Sequence, residues 1–198
     1  MTKYCFVQII AGLLFSLTFM RCGGHPTEPE LRSPDELTAE GWVAFEGGDF
    51  SLAAAKFDSA IVSDSNFVDA FNGAGWAYGR LALFDTASVR FERAIKLAPN
   101  LVEAHAGATL IFHVLNRFTD AIAEAISTLE AEPAFVFSHD SSIDALDVRI
   151  TLALSYFSIA DFVNAAAQMD IIDPANGPHS TVPEELIQEI MRFFQLIR

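Results

Sequence analysis

From residue 34 onward, apolar residues recur every three or four positions, the spacing of one face of an α-helix. Each run stops at a short polar or glycine-bearing interval. The pattern predicts helices over 34–47, 51–62, 68–81, 85–97, 102–115, 119–130, 143–159, 162–172 and 184–197. The first opens on Asp35 and Glu36, carboxylates beside the positive end of the helix dipole, and stops at Gly47-Gly48. In the second, Ala53, Phe57, Ala60 and Ile61 share one face. Pro99 and Pro133 each close a helical run, since proline cannot supply the amide that continues a helix.

The pattern repeats. Shifting the chain by 34 positions superposes Gly41-Trp42 on Gly75-Trp76, aligns Phe50 with Phe84 and Phe118, and aligns Ala53 with Ala87 and Ala121. Phe57 meets Phe91, Ala60 meets Ala94, and Pro99 meets Pro133. Each unit reads helix, short turn, helix, over 35–67, 68–101 and 102–135. A fourth, irregular unit at 143–174 follows after ten extra residues, because Phe162 and Ala165 stand 44 rather than 34 beyond Phe118 and Ala121. The insertion falls in 134–142, and Ser141 with Asp144 offers a capping box for the next helix. Small residues carry the geometry: helices of a hairpin approach closely only over alanine or glycine, with a phenylalanine filling the space beside them. Gly73, Gly75 and Gly79 fit close helix packing better than a nucleotide fingerprint, because no strand precedes them. The last run, Leu186, Ile187, Ile190, Met191, Phe194 and Ile197, forms one apolar face and is expected to cover the last repeat as a cap over 183–198.

These units resemble the tetratricopeptide repeat. The resemblance rests on Gly41, Phe50, Ala53, Phe57 and Ala60 in the first unit and Gly75, Tyr78, Phe84, Ala87, Phe91, Ala94 and Pro99 in the second. In the third it rests on Ala108, Phe112, Phe118, Ala121 and Pro133, while Thr109 and Thr128 replace the expected glycine and alanine. It spans roughly 35–174 and implies an all-α, right-handed superhelix of stacked hairpins, a solenoid. It further implies that the first helix of each hairpin lines a concave groove. Trp42, Phe45 and Glu46 would face that groove, then Asn72, Trp76, Gly79 and Arg80, then Leu110 and His113, then Leu154 and Phe157. The two tryptophans could equally pack between hairpins. Some family members clasp a terminal carboxylate with Lys, Asn and Arg; here only Asn72 and Arg80 stand at such positions, beside Thr38 and Ala39.

The N-terminus has a different character. Lys3 precedes seventeen uncharged residues, Tyr4–Met20, followed by Arg21-Cys22-Gly23-Gly24, the layout of an export signal over 1–21. Residues 22–34 carry three prolines and read as an extended tether. Cys22 resembles the acylated cysteine of bacterial lipoproteins, although Arg21 departs from the small residue usual there. Conventional cleavage near Gly24 and an uncleaved anchor are the alternatives. The expected location is the cell envelope, lipid-anchored through Cys22 on the periplasmic or extracellular side.

Composition narrows the function. With 52% hydrophobic residues, 18 Phe and 19% charged residues, the chain carries enough apolar surface to fold. Its 26 acids against 12 Lys and Arg give a net charge of −14. Removing 1–21 takes away Lys3 and Arg21 but no acid, so the remainder reaches −16. Such a surface lacks the cation clusters that bind phosphate backbones, which argues against nucleic acid. No metalloprotease, phosphate-loop or nucleophile-elbow motif occurs, and the histidines at 25, 105, 113, 139 and 179 make no ligand pair at helical spacing. His139, Asp140, Ser141, Ser142, Asp144 and Asp147 cluster in sequence but lack the alternation and central glycine of a calcium loop. No catalytic residue, metal ligand or cofactor is therefore expected. The expected role is a non-enzymatic module or scaffold binding a protein or peptide in the groove. The alternatives are a subunit of an envelope secretion or assembly complex, or a metal-dependent enzyme using 139–147.

Overall fold

A computed structural model describes residues 32–196; Cys22, most of the tether and Ile197 lie outside the described residues. Those residues form nine α-helices: α1 (Pro34–Glu46), α2 (Phe50–Ser63), α3 (Val68–Arg80), α4 (Phe84–Leu97), α5 (Val102–Val114), α6 (Phe118–Ala131), α7 (Ala145–Ser158), α8 (Phe162–Ile172) and α9 (Pro183–Leu196). The 34-residue period survives as geometry. α1, α3 and α5 begin 34 residues apart, as do α2, α4 and α6, and α8 begins 44 after α6. The helices pack as antiparallel hairpins stacked in chain order, the tetratricopeptide-like solenoid the sequence implies.

The turn inside each hairpin is the same turn. Gly48, Ala82, Asn116 and Ala160 hold positive φ angles of 79°, 57°, 59° and 61°. After each, the next amide reaches back five residues to a helix carbonyl, as in Asp49 N–H to Ala44 and Leu83 N–H to Tyr78, both 2.9 Å. This closes the orphan carbonyls of the first helix. Only Gly48 adopts the left-handed conformation freely; at Ala82 and Ala160 it costs roughly 1–2 kcal/mol, offset by the bonds the turn completes.

The seams between hairpins run on one rule in two units and its inverse in the third. Phe57 of α2 is fully buried over Gly41 of its own hairpin and Gly73 of the next, where an added Cβ would come under 3.0 Å from the ring. Phe91 sits the same way over Gly75 and Gly107. At the third register position the ring is gone: Ala125 stands there, and Thr109 and Thr151 stand where the glycines would be. All three are buried, and both hydroxyls bond a carbonyl four residues back. Volume moves from one side of the seam to the other, which explains the threonine at 109 and keeps the packing dense.

One core joins the hairpins from α1 into α7, and a second joins α7, α8 and α9. α9 packs on α7 and α8 through Leu186 and Ile190, both fully buried, whereas Met191 of the expected apolar face stays exposed. The ten extra residues adopt no helix. Residues 134–144 form a narrow strap closed by an antiparallel bridge between Val136 and Asp144 and by Phe137 N–H to Ile143 C=O at 2.9 Å. That pairing keeps Asp144 extended, so α7 starts later than expected. Its capping box is built by Asp144 with Asp147, not by Ser141 with Asp144.

Candidate protein-interaction surface

The first helices α1 and α3 bring Trp42, Phe45, Asn72, Trp76 and Arg80 to one face, α5 adds Glu103, and the strap lies across it. Phe137 is fully buried there. Its ring stacks on Trp76 with centroids 4.1 Å apart, and meets Phe45 and Trp42 edge-on at 5.9 and 6.1 Å. Burying such a ring contributes about 1.5–3 kcal/mol. Two residues on, His139 lies flat on Trp42 at 3.7 Å with the planes 1° apart, and its Nδ1 meets Glu46 Oε1 at 2.8 Å. Asp140 pairs with Arg80 at 3.0 Å. Ser138 donates its hydroxyl to Glu103 at 2.6 Å, and Asn72 donates to the other oxygen of the same carboxylate at 3.1 Å. The strap is therefore held by side chains from three successive hairpins.

Acids at the start of α3 and α5, Asp69 and Glu103, reach back to the preceding repeat. Trp42 Nε1–H donates to both oxygens of Asp69, at 3.2 and 3.1 Å. Burial raises the Asp69 pKa, with the indole bond opposing that shift. Asp140 behaves differently: desolvation raises its pKa, but hydrogen bonds from Ser142 and the charge of Arg80 outweigh it and lower the pKa overall.

The strap leaves some of the face unsatisfied and some of it open. Trp76 Nε1 and Asn72 Oδ1 are buried without a hydrogen-bond partner. Beside the strap, a cavity of about 200 Å³ opens between α3 and α5, lined by Gly75, Gly79 and Arg80, by Leu110 and Val114, and by Ile143 of the strap. Gly75 and Gly79 open room for it on the α3 wall, between Trp76 and Arg80. Its volume falls below the ~300–1,000 Å³ of small-molecule sites and suits a single apolar side chain.

The expected groove residues therefore divide into three sets. Trp42, Phe45, Asn72 and Trp76 are on the face but covered, with Trp42 and Trp76 only 7% and 4% exposed. Arg80 and Leu110 border the open cavity. His113, Leu154 and Phe157 are not brought to the strap. His113 Nδ1 meets Ser155 Oγ of α7 at 2.9 Å, and burial lowers its pKa. Leu154 and Phe157 pack against the second core beside α9. The 139–147 cluster is dispersed as well: His139 and Asp140 serve the strap, while Asp144 and Asp147 cap α7. Among the described residues no group of three or more His, Cys, Asp or Glu could hold a metal ion. Sequence reasoning missed Phe137, Glu103 and Asp69. The one available signal was Phe135-Val136-Phe137, an apolar triplet inside an otherwise polar insertion.

No protein-family model matches the chain, and no curated protein matches it significantly. Solved structures do. MamA of AMB-1 is 19% identical with a TM-score of 0.63, covering 83% of this chain and 96% of its own. The first TPR domain of Spaghetti (RPAP3), bound to the HSP90 peptide SRMEEVD, is 18% identical with a TM-score of 0.55, covering 65% and 96%. The TPR domain of Arabidopsis OM64 is 19% identical at a TM-score of 0.50, covering 52% and 85%. At these identities the likeness speaks to architecture alone: the chain folds as a tetratricopeptide-type all-α solenoid.

Proposed function

We propose that the protein is a non-enzymatic interaction scaffold of the cell envelope, tethered through Cys22 and binding an extended protein segment along its concave face. The observation that carries this reading is the face itself, which already holds a non-helical segment of eleven residues, 134–144, by aromatic stacking, ion pairing and shared carboxylates. The adjoining cavity between α3 and α5 offers a partner an anchor point for one apolar side chain. The excess of acids favours partners with apolar or basic character over anionic polymers. Attachment rests on sequence alone, on Cys22 after the apolar run.

Photo-crosslinking tests the binding reading. A photoreactive residue at Leu110 or Val114, beside the cavity, should yield discrete protein adducts in native envelopes. The same group at Val62, exposed on α2 outside the cavity, should not. Equal labelling at both positions would refute a concave-face site. Cys22→Ser should release the protein from membranes; retention would assign anchoring to the apolar run instead.

A further inference from the structure

We propose that the strap, residues 134–144, is a resident ligand of the groove, displaced by a partner segment that carries an aromatic ring followed within three residues by a carboxylate. The inference rests on the concave-face reading above and adds its regulation and the chemistry of its ligand. The strap displays that chemistry in order. Phe137 fills the slot between Trp42, Phe45 and Trp76, Ser138 and His139 meet Glu103 and Glu46, and Asp140 meets Arg80.

Three observations separate a ligand from ordinary core. First, the strap is an addition to a repeat that closes without it in the two preceding turns of the solenoid: α2 leads to α3 and α4 to α5 through four-residue connections, with no chain laid across the groove. Second, its polar holds are mostly exchangeable ones. Arg80 is 41% exposed and Glu46 53%, so water and a competitor reach both pairs. Third, the fit is incomplete. Trp76 Nε1–H and Asn72 Oδ1 stay unpaired beneath the strap, a donor and an acceptor that the backbone of a competing segment would satisfy. A better-matched segment therefore gains bonds that the strap never makes. Displacement is favoured by that difference alone, because the strap's local concentration otherwise protects the groove.

Both tryptophans of the chain lie under the strap, so intrinsic emission reads its position. The experiment uses the full-length chain in mild detergent and an acetylated synthetic peptide with the sequence of residues 133–145. In the variant Phe137→Ala/His139→Ala/Asp140→Ala, emission should shift to the red while the helical circular-dichroism signal persists. The peptide should then restore blue emission, binding at least ~10-fold tighter than to the wild type. Adding Arg80→Ala to that variant should weaken the peptide at least ~3-fold, as for a rim ion pair. A folded variant that ignores the peptide overturns the proposal, and so does loss of the helical signal, which would make the strap core.

Hydrogen exchange on the wild type decides independently of any variant. The Phe137 and Ser138 amides should exchange through an opening that leaves α3 and α5 protected. Exchange only on global unfolding overturns the proposal. A concentration-dependent dimer abolished by Phe137→Ala would give the groove to a second copy's strap and overturn it too. Cavity crosslinks without peptide binding would sink this inference alone and leave the concave-face reading standing.

Discussion

The hairpin seams and the concave face both bury aromatic rings, but the two sets of rings are held by different means. At the seams, Phe57 and Phe91 lie over glycines on two neighbouring helices, with Trp42 and Trp76 edge-on against them. On the concave face, Trp42 and Trp76 have no such glycine bed. They are covered from outside by Phe137 and His139; Asp69 holds the Trp42 indole, while Glu46 and Arg80 hold His139 and Asp140 of the strap. Seam packing is inseparable from the fold, because separating the rings from the glycines means separating the helices. The strap can leave while the helices stay. A substitution in a seam should therefore cost the whole domain, and one in the strap itself should cost at most the free energy that seats the strap.

Breaking a seam gives the largest expected effect. Phe91→Ala should destabilise by ~3–5 kcal/mol, as for a fully buried Phe leaving a cavity, which lowers Tm by roughly 10 °C for a chain of this size. Gly107→Val meets the same ring from the other side and should cost about 1–3 kcal/mol by overpacking. The third seam prescribes the repair. Combining Phe91→Ala with Gly75→Thr and Gly107→Thr copies Ala125, Thr109 and Thr151 and should recover most of the loss, read as chemical denaturation midpoints. A triple variant no better than the sum of its parts would show that volume transfer does not govern the seams.

Phe137→Ala removes a ring as buried as Phe91, yet should cost less, about 2 kcal/mol, because the strap opens instead of holding a cavity. Two signatures distinguish that outcome. Tryptophan emission should shift to the red, and the helical signal should not change. A loss as large as that of Phe91→Ala would erase the distinction between the two regions.

How much of this could be read from the chain follows the same divide. The seams are periodic, so Gly41, Phe57, Gly75 and Phe91 announce themselves at intervals of 34, and the ten-residue displacement of Phe162 and Ala165 locates the insertion. The first helices were correctly placed for the same reason. The hairpin turns were only partly readable: Gly48 signals a left-handed residue, but Ala82, Asn116 and Ala160 adopt it because the surrounding bonds impose it. The strap was unreadable in its position. No period relates Phe137 to Trp76 or His139 to Glu46, which stands 93 residues away. Whether the tryptophans faced a groove or a core had no sequence answer, since they lie on the groove face and become core only when the strap is seated.

Two histidines in the body of the solenoid give its stability a dependence on pH. Glu124 raises the His105 pKa, helped by Pro99, with desolvation opposing. Its contribution is therefore complete below the unfolded value of 6.5 and is lost as pH rises through the higher folded value. Burial lowers the His113 pKa, so its contribution is present above 6.5 and is lost as pH falls through the lower folded value. His105→Gln should remove the alkaline decline in Tm, and His113→Asn the acidic one, by a few degrees each. Neither residue belongs to the strap, so neither substitution should change exchange at the Phe137 and Ser138 amides. Strap exchange that changes with either substitution would couple the strap to the hairpins more tightly than the geometry implies.

The smallest expected effect on stability is the most informative about the strap. Arg80 is partly exposed, pairs with Asp140 at 3.0 Å, and lies 5.0 Å from the Phe50 ring centroid. A surface pair of this kind contributes about 0–1 kcal/mol, so Arg80→Ala should barely move the global Tm. It removes a tie between α3 and the strap, however, and the loss falls on a local equilibrium rather than on the whole fold. Exchange at the Phe137 and Ser138 amides should accelerate by up to ~5-fold, the Boltzmann factor of about 1 kcal/mol, while amides in α3 and α5 hold their rates. High salt should give the wild type part of the same acceleration, because screening weakens this pair and leaves the aromatic stack intact. Equal acceleration in strap and helices would mean that Arg80 supports the solenoid as a whole.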